Sequence, residues 1–182
     1  MTTALVLGGG ASLHDDIAAY TGPIDGVITV NDALTEWSGG VDAAVSLHPQ
    51  YFEQKGWLAN RATKGLAPPK RIFGHTEGER IIGMRGIDVP GLEFTDYRFP
   101  GQEKSGSSGL FAAKVALIDL GFDKVVFCGV PMTPTPHFWD DRKEPWKTAD
   151  GFRGGWLAVS DEYRARMASM SGWTRILLGG PT

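Results

Sequence analysis

Three consecutive glycines end the first apolar run of the chain, and this pattern is suited to binding an anion. Residues 5–7 are apolar, and the chain continues with Gly8, Gly9, Gly10 and, two positions later, Ser12. Glycine lets a backbone approach a ligand closely, and the N–H groups of a turn and of a helix start bind phosphate. The segment lacks the third glycine of the dinucleotide pattern G-x-G-x-x-G, and the P-loop pattern is absent from the sequence. A tight strand-to-helix turn that binds no ligand is the alternative interpretation.

Polar residues also follow other short apolar runs. Asn31 follows the run 26–30, His48 and Gln50 follow the run 41–47, and Gly129 follows the run 125–128. In open parallel sheets, ligands bind outside the carboxyl ends of the strands. We therefore expect these residues and the glycine turn to meet at one ligand site.

His137 is the candidate for acid–base chemistry. It lies in the segment 130–155, which is long, polar and rich in Pro, Gly and Trp. A histidine near the carboxyl edge of a sheet can act as a general base on an acceptor hydroxyl, and a packing or exposed histidine is the alternative. The tryptophans Trp139, Trp146 and Trp156 are predicted to anchor this segment onto the sheet, because aromatic side chains more often pack than bind.

The elements that must position these residues alternate along the chain. Apolar runs predict strands over 4–7, 26–30, 41–47, 71–74, 125–128 and 174–178. Helical patterns predict helices over 13–20, near 50–60, over 107–120 and over 159–170. This alternation predicts a single-domain α/β fold of the Rossmann-like, doubly wound kind, with a mainly parallel sheet and helices on both faces. Residues 75–104 have no clear hydrophobic periodicity. We expect them to form either a lid or substrate-facing insertion, or else irregular connections.

Composition narrows the class of protein. The chain has 182 residues, 42 % of them hydrophobic, and a formal net charge of −3, which argues against a dedicated nucleic-acid binder. Its single cysteine, Cys128, lies in an apolar run and is predicted to be a buried, inert thiol. The N-terminus has no basic region before its apolar run, and no apolar stretch approaches the ~20 residues of a membrane span. We therefore expect a cytoplasmic protein. The sequence does not distinguish a monomer from a homo-oligomer.

Four segments recur in the order and at the rough spacing of one known family. They are Gly8-Gly9-Gly10-Ala11-Ser12, Val30-Asn31, the stretch from His48-Pro49-Gln50 to Gln54, and the stretch from Ser107-Ser108-Gly109 through Leu120-Gly121-Phe122 to Val130. Over about residues 4–130, they resemble the bacterial lipooligosaccharide sialyltransferases, which transfer a sugar acid from a CMP-activated donor. The same scaffold resembles the archaeal-type hydroxymethylpterin diphosphokinases.

The resemblance implies a nucleotide-binding site. It implies that Gly8 and Gly10 approach the nucleotide phosphates, that Ser12 caps a helix or bonds a phosphate, and that Asn31 bonds the nucleotide or sugar. Further nucleotide-binding residues implied by the matching segments are Gly9, Gln50, Ser107, Ser108, Gly109 and Gly129. The chain departs from the family at Pro131, where the family has an aspartate, and at Thr133 and Trp139, which stand approximately where the family has two tyrosines.

Three functions are compatible with these residues. The first is a nucleotide-dependent, glycosyltransferase-like enzyme that uses a nucleotide-activated donor such as a nucleotide sugar, with His137 as its base. The second is a diphosphokinase-like phosphotransferase, which would require magnesium. The third is a Rossmann-like binding or assembly module without catalytic activity. No group of His, Cys and Asp has the spacing of a zinc site, and fold alone does not decide between the three functions.

Overall fold

A seven-stranded parallel sheet forms the centre of the molecule. The computed structural model describes residues 1–76 and 88–182. The strands are β1 (Thr3–Leu7), β2 (Gly26–Val30), β3 (Ala43–Ser46), β4 (Arg71–His75), β5 (Leu92–Thr95), β6 (Lys124–Cys128) and β7 (Met167–Ser169). They lie in the order β5-β4-β3-β2-β1-β6-β7, and every pairing is parallel. The predicted α/β fold with a parallel sheet is confirmed.

Helices cover both faces of this sheet. They are α1 (Leu13–Ala19), α2 (Tyr51–Gln54), α3 (Trp57–Thr63), α4 (Ser108–Lys114), α5 (Arg153–Leu157), α6 (Asp161–Arg164) and α7 (Gly172–Leu178). Short 3₁₀ turns span Asn31–Thr35 and Ala149–Phe152. Alternate residues of β1 point to opposite faces: Val6 packs with α4, while Leu5 packs with Leu13 of α1. A strand covered on both sides reads as a continuous apolar run, which is why β1 could be predicted.

Helix α4 begins where the sequence predicts it. The side chain of Ser107 accepts a hydrogen bond from the backbone N–H of Leu110, so Ser107 is its N-cap. The α-helix ends at Lys114 and continues as a π-helical turn over Val115–Asp119. Gly121 follows with a φ of +75°, the left-handed conformation that ends a helix.

The C-terminal region differs from the prediction. Instead of one helix over 159–170, the chain forms α6 and then β7, whose Met167 pairs with Val125 of β6. Instead of a strand over 174–178, it forms α7. Tyr163 and Met167 therefore do not share a helix face, because Tyr163 packs on Phe99 while Met167 lies in the sheet. Short apolar runs do not distinguish a strand from a helix turn, and pairing with β6 decided this case.

The two long segments are partly described. Of the predicted lid at 75–104, residues 77–87 lie outside the described part, and the described remainder includes the edge strand β5. The segment 130–155 contains a 3₁₀ turn and the start of α5. Among the described residues, no helix is both long and apolar enough to cross a membrane.

Candidate functional site

A cavity of about 420 Å³ lies at the carboxyl ends of β1, β2, β3 and β6. Its size falls within the range of about 300–1,000 Å³ typical of small-molecule sites. The start of α4 and the region of α2 contribute part of the wall. The segment after β6 contributes Val130, Pro131, Met132, Thr133, Thr135, Pro136, His137, Trp139, Trp146, Thr148 and Phe152. The cavity is therefore placed where open parallel sheets bind their ligands.

Most of the residues singled out in the sequence line this cavity, namely Gly8, Gly9, Gly10, Asn31, Ser107, Ser108, Gly109, Gly129 and His137. Ser12 is not part of the lining, because its hydroxyl donates to Asp16 and bonds the hydroxyl of Ser171. Gln50 is not part of it either. Its side chain is 6 % exposed, and its Oε1 has no hydrogen-bond partner among residues 1–76 and 88–182. The binding roles of all eleven residues remain predictions.

Close packing explains why glycine stands at positions 8, 10 and 129. A Cβ on Gly8 would lie 2.7 Å from the carbonyl oxygen of Gly129, and a Cβ on Gly10 would lie 2.6 Å from Cδ of Pro131. Gly129 has a φ of +68°, and its Cβ would lie 2.5 Å from the carbonyl oxygen of Gly8. The turn after β1 and the turn after β6 thus touch without room for a side chain. This requirement holds whether or not a ligand is bound.

The N–H groups of the glycine turn are not equally available to a ligand. Gly8 donates to the carbonyl of Cys128, and Gly10 donates to the carbonyl of Gly129, both at 2.8 Å. The N–H of Gly9 has no acceptor in the described part of the chain. Gly9 is therefore the glycine of this turn that can donate to an anion in the cavity.

Asn31 is held in one orientation at the end of β2. Its φ is +54°, a left-handed conformation that asparagine adopts more readily than most residues. Its Oδ1 accepts a hydrogen bond of 2.8 Å from the hydroxyl of Ser46, which itself accepts from the N–H of His48 at 2.9 Å. Because Oδ1 already accepts from Ser46, the N–H groups of the Nδ2 amide nitrogen of Asn31 remain to donate to a ligand.

The start of α4 offers fewer groups than its sequence indicates. The hydroxyl of Ser107 caps the helix and is buried, and the hydroxyl of Ser108 accepts from the N–H of Leu47 at 3.4 Å. Gly109 is pressed against Val130, because a Cβ there would lie 2.7 Å from Cγ1 of Val130. The groups that remain for a ligand at this helix start are therefore the hydrogen of the Ser108 hydroxyl and the first N–H groups of the helix.

His137 is fixed by backbone and aromatic contacts. It forms an antiparallel bridge with Gly10, and its ring stacks on Trp139 at a centroid distance of 5.1 Å and contacts Trp146 at 5.6 Å. Its ring nitrogens have no hydrogen-bond partner within residues 1–76 and 88–182.

Burial lowers the pKa of His137 and nearby Lys55 lowers it further, against an opposing effect of Asp140. The imidazole is therefore neutral at pH 7 and can accept a proton.

The tryptophans of the segment 130–155 and of α5 differ in role: some pack on the sheet, and others line the cavity. Trp156 is 1 % exposed and packs edge-on against Phe127 of β6, which confirms its predicted anchoring role. Trp146 stacks on Phe152 while lining the cavity. Trp139 is half exposed beside His137. Only Trp156 therefore fits the anchoring role alone.

Two charged residues of the cavity were not among the site residues predicted from the sequence. Asp32 follows Asn31 directly, and burial is the main cause that raises its pKa to about 6. Lys55 follows α2, and its ammonium lies 4.5 Å from the centroid of the Tyr51 ring. Asp32 stands with Asn31 at a strand end, where polar residues are expected to meet a ligand, although it was assigned no role. No sequence pattern marks Lys55.

Cys128 matches its prediction. It is fully buried at the end of β6, and burial raises the pKa of its thiol to about 12. A thiol held neutral in this way is a poor nucleophile. We assign it no part in the chemistry of the cavity.

Comparison with known proteins identifies the fold. No protein-family model and no curated protein matches the sequence. The sialyltransferase CST-II in complex with trisaccharide acceptor and CMP superimposes with a TM-score of 0.70 at 13 % identity, over 100 % of this chain and 86 % of that chain. CstII from Campylobacter jejuni with the substrate analogue CMP-3FNeuAc gives a TM-score of 0.68 at 13 % identity, over 99 % and 86 %.

Another sialyltransferase structure has a similar fold. The alpha-2,3-sialyltransferase from Campylobacter jejuni in apo form gives a TM-score of 0.56 at 14 % identity, over 100 % of this chain and 79 % of that chain. At such identities the likeness establishes a sialyltransferase-like α/β fold and no more. The resemblance to diphosphokinases stays a prediction.

Proposed function

We propose that this protein is a nucleotide-dependent transferase of the glycosyltransferase type, which binds a nucleotide-activated sugar donor in the cavity. The observation that carries the proposal is the meeting of Asn31, Gly9, Lys55 and His137 in one cavity at the carboxyl edge of the sheet. Its support from outside the chain is the fold shared with enzymes whose structures hold CMP and CMP-3FNeuAc.

The donor is bound by three kinds of group. The Nδ2 of Asn31, oriented by Ser46, donates to an oxygen of the nucleotide or sugar. The N–H of Gly9 and the hydroxyl of Ser108 donate to phosphate oxygens. Lys55 supplies a positive charge at the same cavity, which balances the negative charge of the phosphate.

His137 accepts the proton of the attacking hydroxyl. Burial lowers its pKa, so the neutral, proton-accepting form predominates above that pKa and is lost when the pH falls below it. Stacking on Trp139 restricts the ring without occupying its nitrogens. The acceptor oxygen then attacks the anomeric carbon while the bond to the nucleotide phosphate breaks.

A nucleotide screen tests the binding half of this proposal. CMP, CDP, UDP, GDP and ATP are each added with and without magnesium, and the melting temperature is recorded. A nucleotide at ~100-fold excess over its dissociation constant adds about 2.7 kcal/mol to stability. We expect one of these nucleotides to raise the melting temperature, and Asn31→Ala to weaken its binding about 5-fold because the hydrogen bond from the Asn31 amide is lost.

Controls and turnover complete the test. Two substitutions should leave the binding unchanged. They are Asn60→Ala, at an exposed position of α3, and Lys124→Met, at the amino end of β6 and away from the cavity. The nucleotide that binds is then supplied as its sugar conjugate, and release of free nucleotide is followed with water or a trisaccharide as acceptor. Flat melting curves with all nucleotides at millimolar concentration would contradict the proposal in favour of a non-catalytic module. Binding without turnover would contradict its catalytic half.

A further inference from the structure

We propose that Asp32 is a second catalytic residue, which protonates the departing nucleotide phosphate while His137 deprotonates the acceptor. The inference rests on the proposed transferase function and adds to it the group that assists the leaving nucleotide. It is carried by the position of Asp32 against Gly9, beside the imidazole of His137 in the same cavity.

Gly9 is the point at which the two side chains come together. A Cβ on Gly9 would lie 3.1 Å from Cδ2 of His137 and 3.3 Å from Oδ1 of Asp32. Both side chains therefore lie beside Gly9, whose N–H has no acceptor in the described part of the chain. A phosphate held by that N–H would lie within reach of the Asp32 carboxyl group and near the His137 ring.

The charges around Asp32 favour its protonated form. Burial raises the pKa of this carboxyl group and Glu36 from the same turn adds to the effect, while Lys55 and the neighbouring backbone N–H groups lower it. His137 and His48 line the same cavity, and burial lowers the pKa of each, so they bring no positive charge at pH 7. A bound phosphate adds negative charge and raises the pKa of Asp32 further. In the donor complex, Asp32 is therefore protonated near neutral pH.

The only partners of this carboxyl group in the described part of the chain are local. Asp32 forms no ion pair within residues 1–76 and 88–182, and its hydrogen bonds come from backbone N–H groups of its own turn. Catalytic acids are commonly carboxyl groups that lie in a cavity wall and have a raised pKa.

The reaction balances with these two groups. The acceptor hydroxyl loses its proton to His137, and its oxygen forms the new bond to the anomeric carbon. The bond between that carbon and the phosphate oxygen breaks, its electron pair stays on the phosphate, and Asp32 gives its proton to a phosphate oxygen. The products are the glycoside, the singly protonated nucleotide, a protonated His137 and an ionised Asp32. Exchange with solvent restores both residues.

The pH dependence of the reaction tests the inference. Release of CMP from a CMP-activated sugar acid is measured between pH 5 and 9 for the wild type, Asp32→Asn, His137→Gln and Asp15→Asn, with UDP- and GDP-sugars as alternative donors. We expect kcat/KM of the wild type to fall above about pH 6, the value to which burial raises the pKa of Asp32. Asp32→Asn should lose this alkaline decline and lower kcat about 10²-fold or more.

The controls separate catalysis from folding and from the function itself. Asp15→Asn, an exposed change on α1, should keep both the wild-type rate and the wild-type profile. Calorimetric titration of CMP at pH 7 in two buffers should show proton uptake by the wild type and none by Asp32→Asn, a readout that needs no turnover. A variant Asp32→Asn that keeps the rate and the alkaline decline would overturn the inference while leaving the transferase function intact. A wild type that releases nucleotide from no donor would overturn both.

Discussion

Asp32 is placed where its charge destabilises the folded chain. Its pKa is raised from 3.8 to about 6, so between these values the folded protein binds a proton that the unfolded chain has lost. The contribution of Asp32 to stability is therefore greatest below pH 4 and falls as the pH rises to 6. We expect Asp32→Asn to stabilise the protein by about 1–2 kcal/mol above pH 6, a figure reduced from the full linkage value because the residue is partly exposed.

Urea unfolding at pH 7.5 and at pH 4 measures this effect. The stabilisation by Asp32→Asn should be present at the higher pH and nearly absent at the lower one. Asp15→Asn, which is exposed, should show little change at either pH. A loss of stability at pH 7.5 would mean that the ionised carboxylate has a structural partner in the folded protein. Gain of stability on removal of a catalytic group is the usual sign of an active site.

Individual residues of the site were predictable where a strand end, a helix start or the long segment after β6 marked them. Gly8 and Asn31 could be found because both follow apolar runs that end at the same edge of a parallel sheet. Lys55 could not, because it reaches the cavity from beyond a four-residue helix whose direction depends on tertiary packing. The contact of Ser12 with Ser171 could not be predicted either, since the two residues are 159 positions apart in the sequence.

At the scale of elements, the contact between the turns after β1 and β6 should be sensitive to a single methyl group. Gly129 and Gly121 both have φ near +70°, at +68° and +75°. An added Cβ at Gly129 meets the carbonyl of Gly8 at 2.5 Å, whereas Gly121 has no atom within 4 Å. We expect Gly121→Ala to cost about 1–2 kcal/mol from its backbone conformation alone. Gly129→Ala should cost about 1–3 kcal/mol more, because the backbone must shift.

The pair of variants separates backbone conformation from crowding. Chemical denaturation of both gives the difference directly, and nucleotide binding by Gly129→Ala reports whether the cavity is disturbed. Equal losses of stability would mean that the two turns can move apart freely. Such a result would contradict the close packing that we infer for these turns.

The elements differ in how far their sequence determines them. The strands β1, β2 and β6 are continuous apolar runs covered on both faces, and their prediction required only this pattern. The last two elements were exchanged, because Met167–Ser169 is short and finds its partner in β6, 42 residues earlier. Pairing over such distances is a property of the assembled sheet and leaves no local mark in the sequence.

At the scale of the whole molecule, Asp16 joins distant parts of the chain. Its Oδ2 accepts hydrogen bonds from the hydroxyl of Ser12 at 3.0 Å, from the hydroxyl of Ser171 at 2.7 Å and from the N–H of Gly129 at 2.8 Å. These bonds connect α1, the turn after β6 and the start of α7. Because they bridge the N-terminal and C-terminal parts of one sheet, we propose that the chain unfolds as a single cooperative domain.

Thermal and urea unfolding of Asp16→Ala test this proposal. The substitution leaves the buried N–H of Gly129 and one of the two serine hydroxyls without an acceptor, because the other hydroxyl can donate to its neighbour, and we expect a loss of about 2–3 kcal/mol. Far-ultraviolet circular dichroism and tryptophan fluorescence should report one shared transition, in the wild type and in the variant alike. The matched change Asp15→Ala, one position earlier and exposed, should cost less than about 0.5 kcal/mol. A second transition in either protein, or transitions by the two methods that do not coincide, would show that the C-terminal part is a separate cooperative unit.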